Sequence, residues 1–157
     1  MTEIREARPG DRPALVGFMA ALQDHEHRRE PNRLPGAEMA DAHLAALEAW
    51  VADGGAVLVA ESGGRPVGFL VYGIEEELGC YVLPENRRVG LLSDLYVAPE
   101  ARGQGISRAL VREAETRLRA AGIRRVEIGV LAANAPARAV YEALGYAVSD
   151  LTMTRSL

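Results

Sequence analysis

The chain contains no lysine: all 18 of its basic residues are arginine. Without an amine side chain, Schiff-base chemistry and the lysine of a Walker phosphate loop are both excluded. Cysteine is nearly absent. The single one, Cys80, cannot form an internal disulfide, which fits a reducing compartment and makes a cytoplasmic location the expectation. Histidine is scarce and one-sided, with His25, His27 and His43 all in the first third of the chain. No apolar run is long enough to cross a bilayer, and the opening Met1-Thr2-Glu3-Ile4-Arg5-Glu6 holds no signal-peptide core. A net charge of -4 leaves no basic footprint, so neither nucleic acid nor a membrane is an expected partner.

What remains is an ordinary globular composition over 157 residues, read as one domain spanning 1–157. Ile4 to Ala7 reads as a short strand, and Asp11 as the N-cap of a helix carrying Leu15, Phe18, Met19 and Leu22 at helical spacing. Residues 28–36 read as a loop, followed by a helix over 38–52. Strands are expected over 56–60 and 66–74, joined by a turn at Gly63-Gly64, then over 89–97 after a long polar connection. A helix over 105–121 bears Glu113–Arg117 and Glu115–Arg119 at ion-pair spacing. A strand over 125–130 follows, then a helix capped by Asn134 and ended by Gly145, and a closing strand over 151–155. The helix between the strands at Val97 and Arg125 implies a right-handed parallel crossover, whereas the earlier strands pair by hairpins. The fold class is therefore mixed α/β (α+β), a mostly antiparallel sheet with one central parallel β-α-β unit.

The chemistry concentrates where that unit turns. After the strand ending Leu95-Tyr96-Val97, a Pro-broken loop leads into Arg102-Gly103-Gln104-Gly105-Ile106-Ser107 and a helix. Backbone N–H groups at such a helix start have no intrahelical partner, and with the helix dipole they form an anion cradle. A dinucleotide fingerprint fails at its third glycine, where Arg108 stands, and the chain has no repeated βαβ units. Gly105-Ile106-Ser107-Arg108-Ala109 mimics a hydrolase nucleophile elbow, but that chemistry needs a histidine after the serine, and none follows. Asp24-His25-Glu26-His27 is no metal site either, because residues two apart diverge on a helix. Neither Glu75-Glu76-Glu77 nor Cys80 asks for more than a charged hairpin tip and a bystander thiol.

The Gly-rich turn resembles the acetyl-CoA-binding motif of the GNAT acetyltransferase superfamily, with Ser107 in the slot that the family fills with Gly or Ala. Residues 134–146, Asn-Ala-Pro-Ala-Arg-Ala-Val-Tyr-Glu-Ala-Leu-Gly-Tyr, resemble that family's C-terminal helix signature, and residues 4–11 resemble a common family start. The resemblance covers essentially the whole chain and implies a GNAT fold with a splayed cofactor cleft. It implies that backbone N–H groups of Arg102, Gly103, Gln104, Gly105, Ile106 and Ser107 hold the pyrophosphate of acetyl-CoA. Leu95, Tyr96 and Val97 would meet its pantetheine arm and polarise the thioester carbonyl, and Asn134 would add a contact. Tyr141 would be the general acid for the departing thiolate; its plain alternative, on the apolar face of the last helix, is a core aromatic.

The implied reaction is direct acetyl transfer to a primary amine, most simply of a small molecule, with no metal. A protein acetyltransferase and a non-catalytic acyl-CoA-binding domain are the alternatives, and the resemblance allows a homodimer. An alkylamine with a pKa near 10.4 must shed a proton. Asp94, on the strand at the cleft, is the first candidate base, though an outward strand carboxylate would look the same. Glu26 is a second candidate, and ordered water a third.

Overall fold

The computed structural model describes residues 1–157. Five strands form one sheet in the order β1-β2-β3-β4-β5: β1 Thr2–Glu6, β2 Ala56–Ser62, β3 Arg65–Glu76, β4 Arg88–Val97 and β5 Val126–Ile128. Every neighbouring pair is antiparallel except β4 and β5, which run parallel. The crossover between them is α3, Ile106–Ala120. Helices α1, Arg12–His27, and α2, Gly36–Trp50, precede β2, and α4, Ala135–Ala143, follows β5. No helix is long and apolar enough to cross a membrane.

Period-two alternation sorts the sheet into two cores. Val57, Val59, Phe69 and Val71 face α1 and α2, meeting Leu15, Met19, Leu44 and Leu47. Leu58, Leu70, Tyr72 and Leu92 face α3, meeting Ile106, Leu110, Val111 and Leu118. With both faces covered, residues 56–60 of β2 are all buried, which is why that strand is an unbroken apolar run.

Several elements depart from the sequence reading for identifiable reasons. The β3–β4 hairpin runs further than expected, because Glu75 and Glu76 pair with Val89 and Arg88 rather than forming an exposed tip. Opposite charges at Glu76 and Arg88 favour that register. Helix α2 starts at Gly36, whose N–H donates to Oδ1 of Asp24 on α1 at 2.7 Å. Asp11 does not cap α1 by its side chain; its carboxylate accepts from the N–H of Arg8 and from Arg5. Of the two expected pairs on α3 only Glu113–Arg117 forms, since Glu115 instead accepts the hydroxyl of Tyr146. Residues 151–155 form no strand: the chain from Ala147 onward is exposed and without regular structure, which leaves three-residue β5 as the last strand of the sheet.

Candidate active site

Strand β4 builds the centre of the site through one irregularity. Val71 pairs with Asp94 but Tyr72 pairs with Leu92, so Ser93 is the extra residue of a β-bulge. Because side chains alternate, one inserted residue moves everything after it to the opposite face. Leu92 packs towards α3, and Asp94 and Tyr96 consequently turn towards α1 and α2 while Leu95 and Val97 return to the α3 face. Without the bulge, Asp94 would point into the apolar core under α3.

The second feature of β4 is an open edge. Strand β5 pairs with it only through Gly90, Leu91 and Leu92. Beyond that point the two strands part, and the edge of residues 93–97 away from β3 has no strand to bond. A side chain meets it instead, as Arg102 Nε donates to the Val97 carbonyl at 3.0 Å. The Arg102 guanidinium also lies 5.6 Å from the centroid of the Tyr96 ring, a cation–π contact. Phe18 of α1 backs that ring at 5.5 Å.

After β4 the chain makes a short 3-10 turn at Pro99–Ala101 and then the Gly-rich turn. Gly103 and Gly105 both sit at φ +75°, in the left-handed region that side chains disfavour, so glycine is required at each. Gly105 is the N-cap of α3 and no side chain caps the helix. The N–H groups of residues 103–108 donate to no backbone carbonyl. They converge with the positive end of the helix dipole, and an anion would satisfy them.

Helix α4 closes the other wall. Asn134 caps it, accepting the N–H of Ala137 at 3.4 Å, and the turn brings Tyr141 to the cleft. The resulting cleft of about 360 Å³ is lined by Leu95, Tyr96 and Val97 on one side and by Arg102, Gly103, Gly105, Ile106 and Ser107 at its end. Asn134, Ala137 and Tyr141 line the side of α4, and Leu22 and His25 reach in from α1. Nothing stands within 4 Å of where a Cβ on Gly103 or Gly105 would lie, so the space before the turn is open. Uncapped amides at one end and an unpaired strand edge along one wall offer hydrogen-bond donors to an elongated anionic ligand.

Tyr141 joins this cleft to a charged cluster. Its phenol is pushed up to about 12, first by burial and then by the carboxylates of Glu26 and Asp94. Asp94 is held at both oxygens: Ser93 Oγ donates to Oδ2 at 2.6 Å, and His43 Nε2 lies 3.4 Å from Oδ1. Burial raises the Glu26 carboxyl above its usual range, opposed by Arg33, whose guanidinium stands 2.7 Å away. The His43 imidazole is raised, chiefly by its contact with Asp94. His25 is lowered, by burial first and then by Arg29, Arg28 and Arg102, so it is disposed to be neutral in the cleft.

The structure thus gathers Leu95, Tyr96, Val97, Arg102, Gly103, Gly105, Ile106, Ser107, Asn134 and Tyr141 around one cleft. Gln104 is exposed and does not line it. Asp94 and Glu26 are not in the lining either; they stand beyond it, close enough to act on Tyr141. Sequence reasoning missed His43, Arg33 and His25. His43 lies 51 residues from Asp94, and only the packing of α2 against the sheet brings them together. No group of three or more His, Cys, Asp or Glu side chains is placed to hold a metal ion.

Comparison with known proteins identifies the family. The sequence model of the Acetyltransferase (GNAT) family matches residues 18–146, a span holding the Gly-rich turn, β4 and α4. Thialysine N-epsilon-acetyltransferase of Bos taurus is 30% identical over 158 residues, which cover 95% of this chain and 85% of that protein. Among solved structures, aminoglycoside N-acetyltransferase AAC(6')-Iy in complex with CoA superposes with a TM-score of 0.77 at 21% identity, covering 100% of this chain and 95% of that one. Glucosamine-6-phosphate N-acetyltransferase from Arabidopsis thaliana gives 0.71 at 16% identity, with 99% and 98% covered. The two structures share the fold, at identities that speak to fold alone, and the sequence match carries the relationship itself: the chain belongs to the GNAT family of acetyltransferases.

Proposed function

We propose that this chain is a cytoplasmic N-acetyltransferase of one domain, residues 1–157, that moves an acetyl group from acetyl-CoA to a primary amine on a small molecule. One observation carries the reading. The uncapped amides of residues 103–108 stand at one end of a cleft that leads to a half-buried phenol, Tyr141, flanked by two carboxylates. An anion site, an unpaired strand edge and a phenol line one cleft, with two carboxylates just beyond it.

In this reading the amides of Gly103 to Ser107 take the pyrophosphate, with the Ser107 hydroxyl available as a further donor; the Arg102 N–H, expected among them, instead donates to the Pro99 carbonyl at 3.3 Å. N–H groups on the open edge of Leu95 to Val97 pair with the pantetheine arm and polarise the carbonyl. Asn134 supports the same wall. Acetyl-CoA supplies the activated acetyl group, and the amine attacks it directly. Tyr141, protonated throughout the working pH range, donates a hydrogen bond to the leaving sulfur. Its pKa near 12 lies well above that of a thiol, about 8.5, so this bond stabilises the sulfur rather than delivering the proton outright. Asp94 is the base that prepares the amine, with Glu26 its weaker neighbour.

A homodimer belongs to the same proposal, supported by the uncovered edge of β5 and the exposed Leu151, Met153 and Leu157 beyond it. Sedimentation velocity at micromolar protein tests it, and a monomer throughout removes it.

The deciding experiment measures CoA release and product mass over a panel of amines. Acetylated small amines support the reading. Acetylation of peptides alone replaces the acceptor class, and acetyl-CoA binding with no turnover on any amine or peptide makes the chain a binding domain.

A further inference from the structure

An alkylamine enters such a site as an ammonium ion, with a pKa near 10.4 in water. Two protons therefore have to be placed in each turnover. The N–H proton released as the C–N bond forms and the C–S bond breaks ends on the thiol. The first, the ammonium proton, must leave the site altogether before nitrogen has a lone pair to attack with. A lone carboxylate does this poorly, since an ordinary carboxyl gives its proton straight back to any amine. It needs a second group that draws the proton onward.

The geometry contains one. Asp94 Oδ2 is occupied by the Ser93 hydroxyl, and Oδ1 is left to His43 Nε2 at 3.4 Å. That distance is long for a hydrogen bond, as contacts of this kind often are before substrate is bound. The pair also crosses from inside to outside. The Asp94 side chain is 13% exposed and that of His43 is 38% exposed, so the ring has Asp94 on one side and solvent on the other. Helix α2 contributes His43 from the position directly before fully buried Leu44, which fixes where the ring can stand.

We propose that His43 is the proton exit of this site: Asp94 takes the proton from the bound ammonium and passes it to Nε2 of His43, which releases it to solvent. In the neutral ring carrying its proton at Nδ1, Nε2 has the lone pair this step uses. No oxidant or second substrate is involved, and the balance is one proton moved from ammonium to water. The groups facing His43 set its working range: Asp94 on β4 and Glu26 on α1 raise it, whereas burial and Arg33 lower it. The net result is an imidazole raised above its usual value, which favours its taking the proton from Asp94. His43 acts through Asp94 and is a positioning and relay residue, distinct from the groups that touch the reacting atoms.

This inference rests on the acetyltransfer reading, and the test separates the two. With wild-type enzyme and an amine that turns over, His43→Gln is expected to lower kcat about a hundredfold near pH 7 with the KM for acetyl-CoA unchanged. The deficit should shrink as pH approaches 10, where the amine deprotonates unaided. Added imidazole should restore turnover in His43→Ala. A deficit that is constant across pH, or no rescue together with a wild-type profile in His43→Gln, overturns the relay. NMR titration of the His43 ring answers the pairing without any turnover: Asp94→Asn is expected to lower its pKa, and an unchanged value overturns the pair. Wild-type enzyme inert on every amine would sink the acetyltransfer reading instead.

Discussion

The guanidinium of Arg5 grips the carboxylate of Asp11 with two bonds, Nη1 to Oδ2 at 2.7 Å and Nη2 to Oδ1 at 2.9 Å. Arg5 also reaches Glu61 on β2 through Nε and Nη2 at 2.8 and 2.6 Å. The first strand, the turn into α1 and the second strand are thereby tied at one nearly buried point. The Arg5 side chain is 10% exposed and that of Asp11 is 8% exposed, so this is not a screened surface pair. Asp11→Asn should therefore cost about 2 kcal/mol, the range for a buried hydrogen bond to a charged group, and Glu61 keeps the loss from being larger. Urea denaturation at pH 7 measures it.

The same pair fixes a direction in pH. Hydrogen bonds from Arg5 hold the Asp11 carboxyl below its ordinary value in the folded protein. A depressed folded pKa contributes stability that is fully present above the unfolded value, about 3.9, and is lost as pH falls through the folded one. Wild-type stability should drop more steeply than that of Asp11→Asn between pH 4 and the acid limit. Parallel curves for the two proteins would show that Asp11 carries no such linkage.

Gly105 offers a direct test of the anion cradle. Its φ of +75° costs an alanine about 1 to 2 kcal/mol of backbone strain, and no heavy atom lies within 4 Å of the new Cβ to oppose it further. The space that the methyl group would enter is the open front of the turn. Gly105→Ala should fold, melt a few degrees lower, and bind acetyl-CoA at least about tenfold more weakly, a loss of 1.4 kcal/mol. Calorimetric titration reads the affinity. Unaltered binding would place the pyrophosphate elsewhere.

What the sequence disclosed and what it concealed divide along a physical line. Features made by neighbours in the chain were legible: the Gly63-Gly64 turn, the helical face of Leu15, Phe18, Met19 and Leu22, the Asn134 cap, and the glycines of the cradle. Features made by distant partners were not. Asp24 caps α2 from another helix, Glu115 exchanges Arg119 for Tyr146, and Asp11 is engaged by Arg5. The bulge at Ser93 is the most consequential case. Alternation alone puts Asp94 on the same face as Leu92, and only the extra residue turns it to meet His43. The strand expected at 151–155 failed differently, since its alternating Leu151, Met153 and Arg155 find no strand to pair with within this chain.

The hydroxyl of Tyr146 donates to Oε1 of Glu115 at 2.7 Å and ties the end of α4 to α3. Its ring also meets that of Tyr141 edge-on, with centroids 6.3 Å apart. Tyr146→Phe keeps the ring contact and removes the tether. The global stability should fall by about 1 kcal/mol, the usual net worth of one hydrogen bond. Amide exchange in residues 135–143 should accelerate more than in α3, because α4 buries no residue fully and depends on such ties. Equal acceleration in both helices would mean that the bond supports the core rather than α4.

Tyr141 is the sharpest test of the proposed chemistry. Burial and the two nearby carboxylates push its phenol from 10 up to about 12, so the hydroxyl stays protonated across any practical assay range. A donor to the leaving sulfur needs that proton, and a thiolate is already a tolerable leaving group, so its removal should slow the reaction without abolishing it. Tyr141→Phe is expected to lower kcat about a hundredfold and leave acetyl-CoA affinity within about twofold. Because the phenol titrates so high, the wild-type profile should show no alkaline loss from Tyr141 below about pH 11. An alkaline limb near pH 9 that vanishes in Tyr141→Phe would mean that the phenol ionises in the working range and does not serve as the standing donor. Near-normal turnover in the variant would leave Tyr141 as a wall of the cleft, with the sulfur protonated from water.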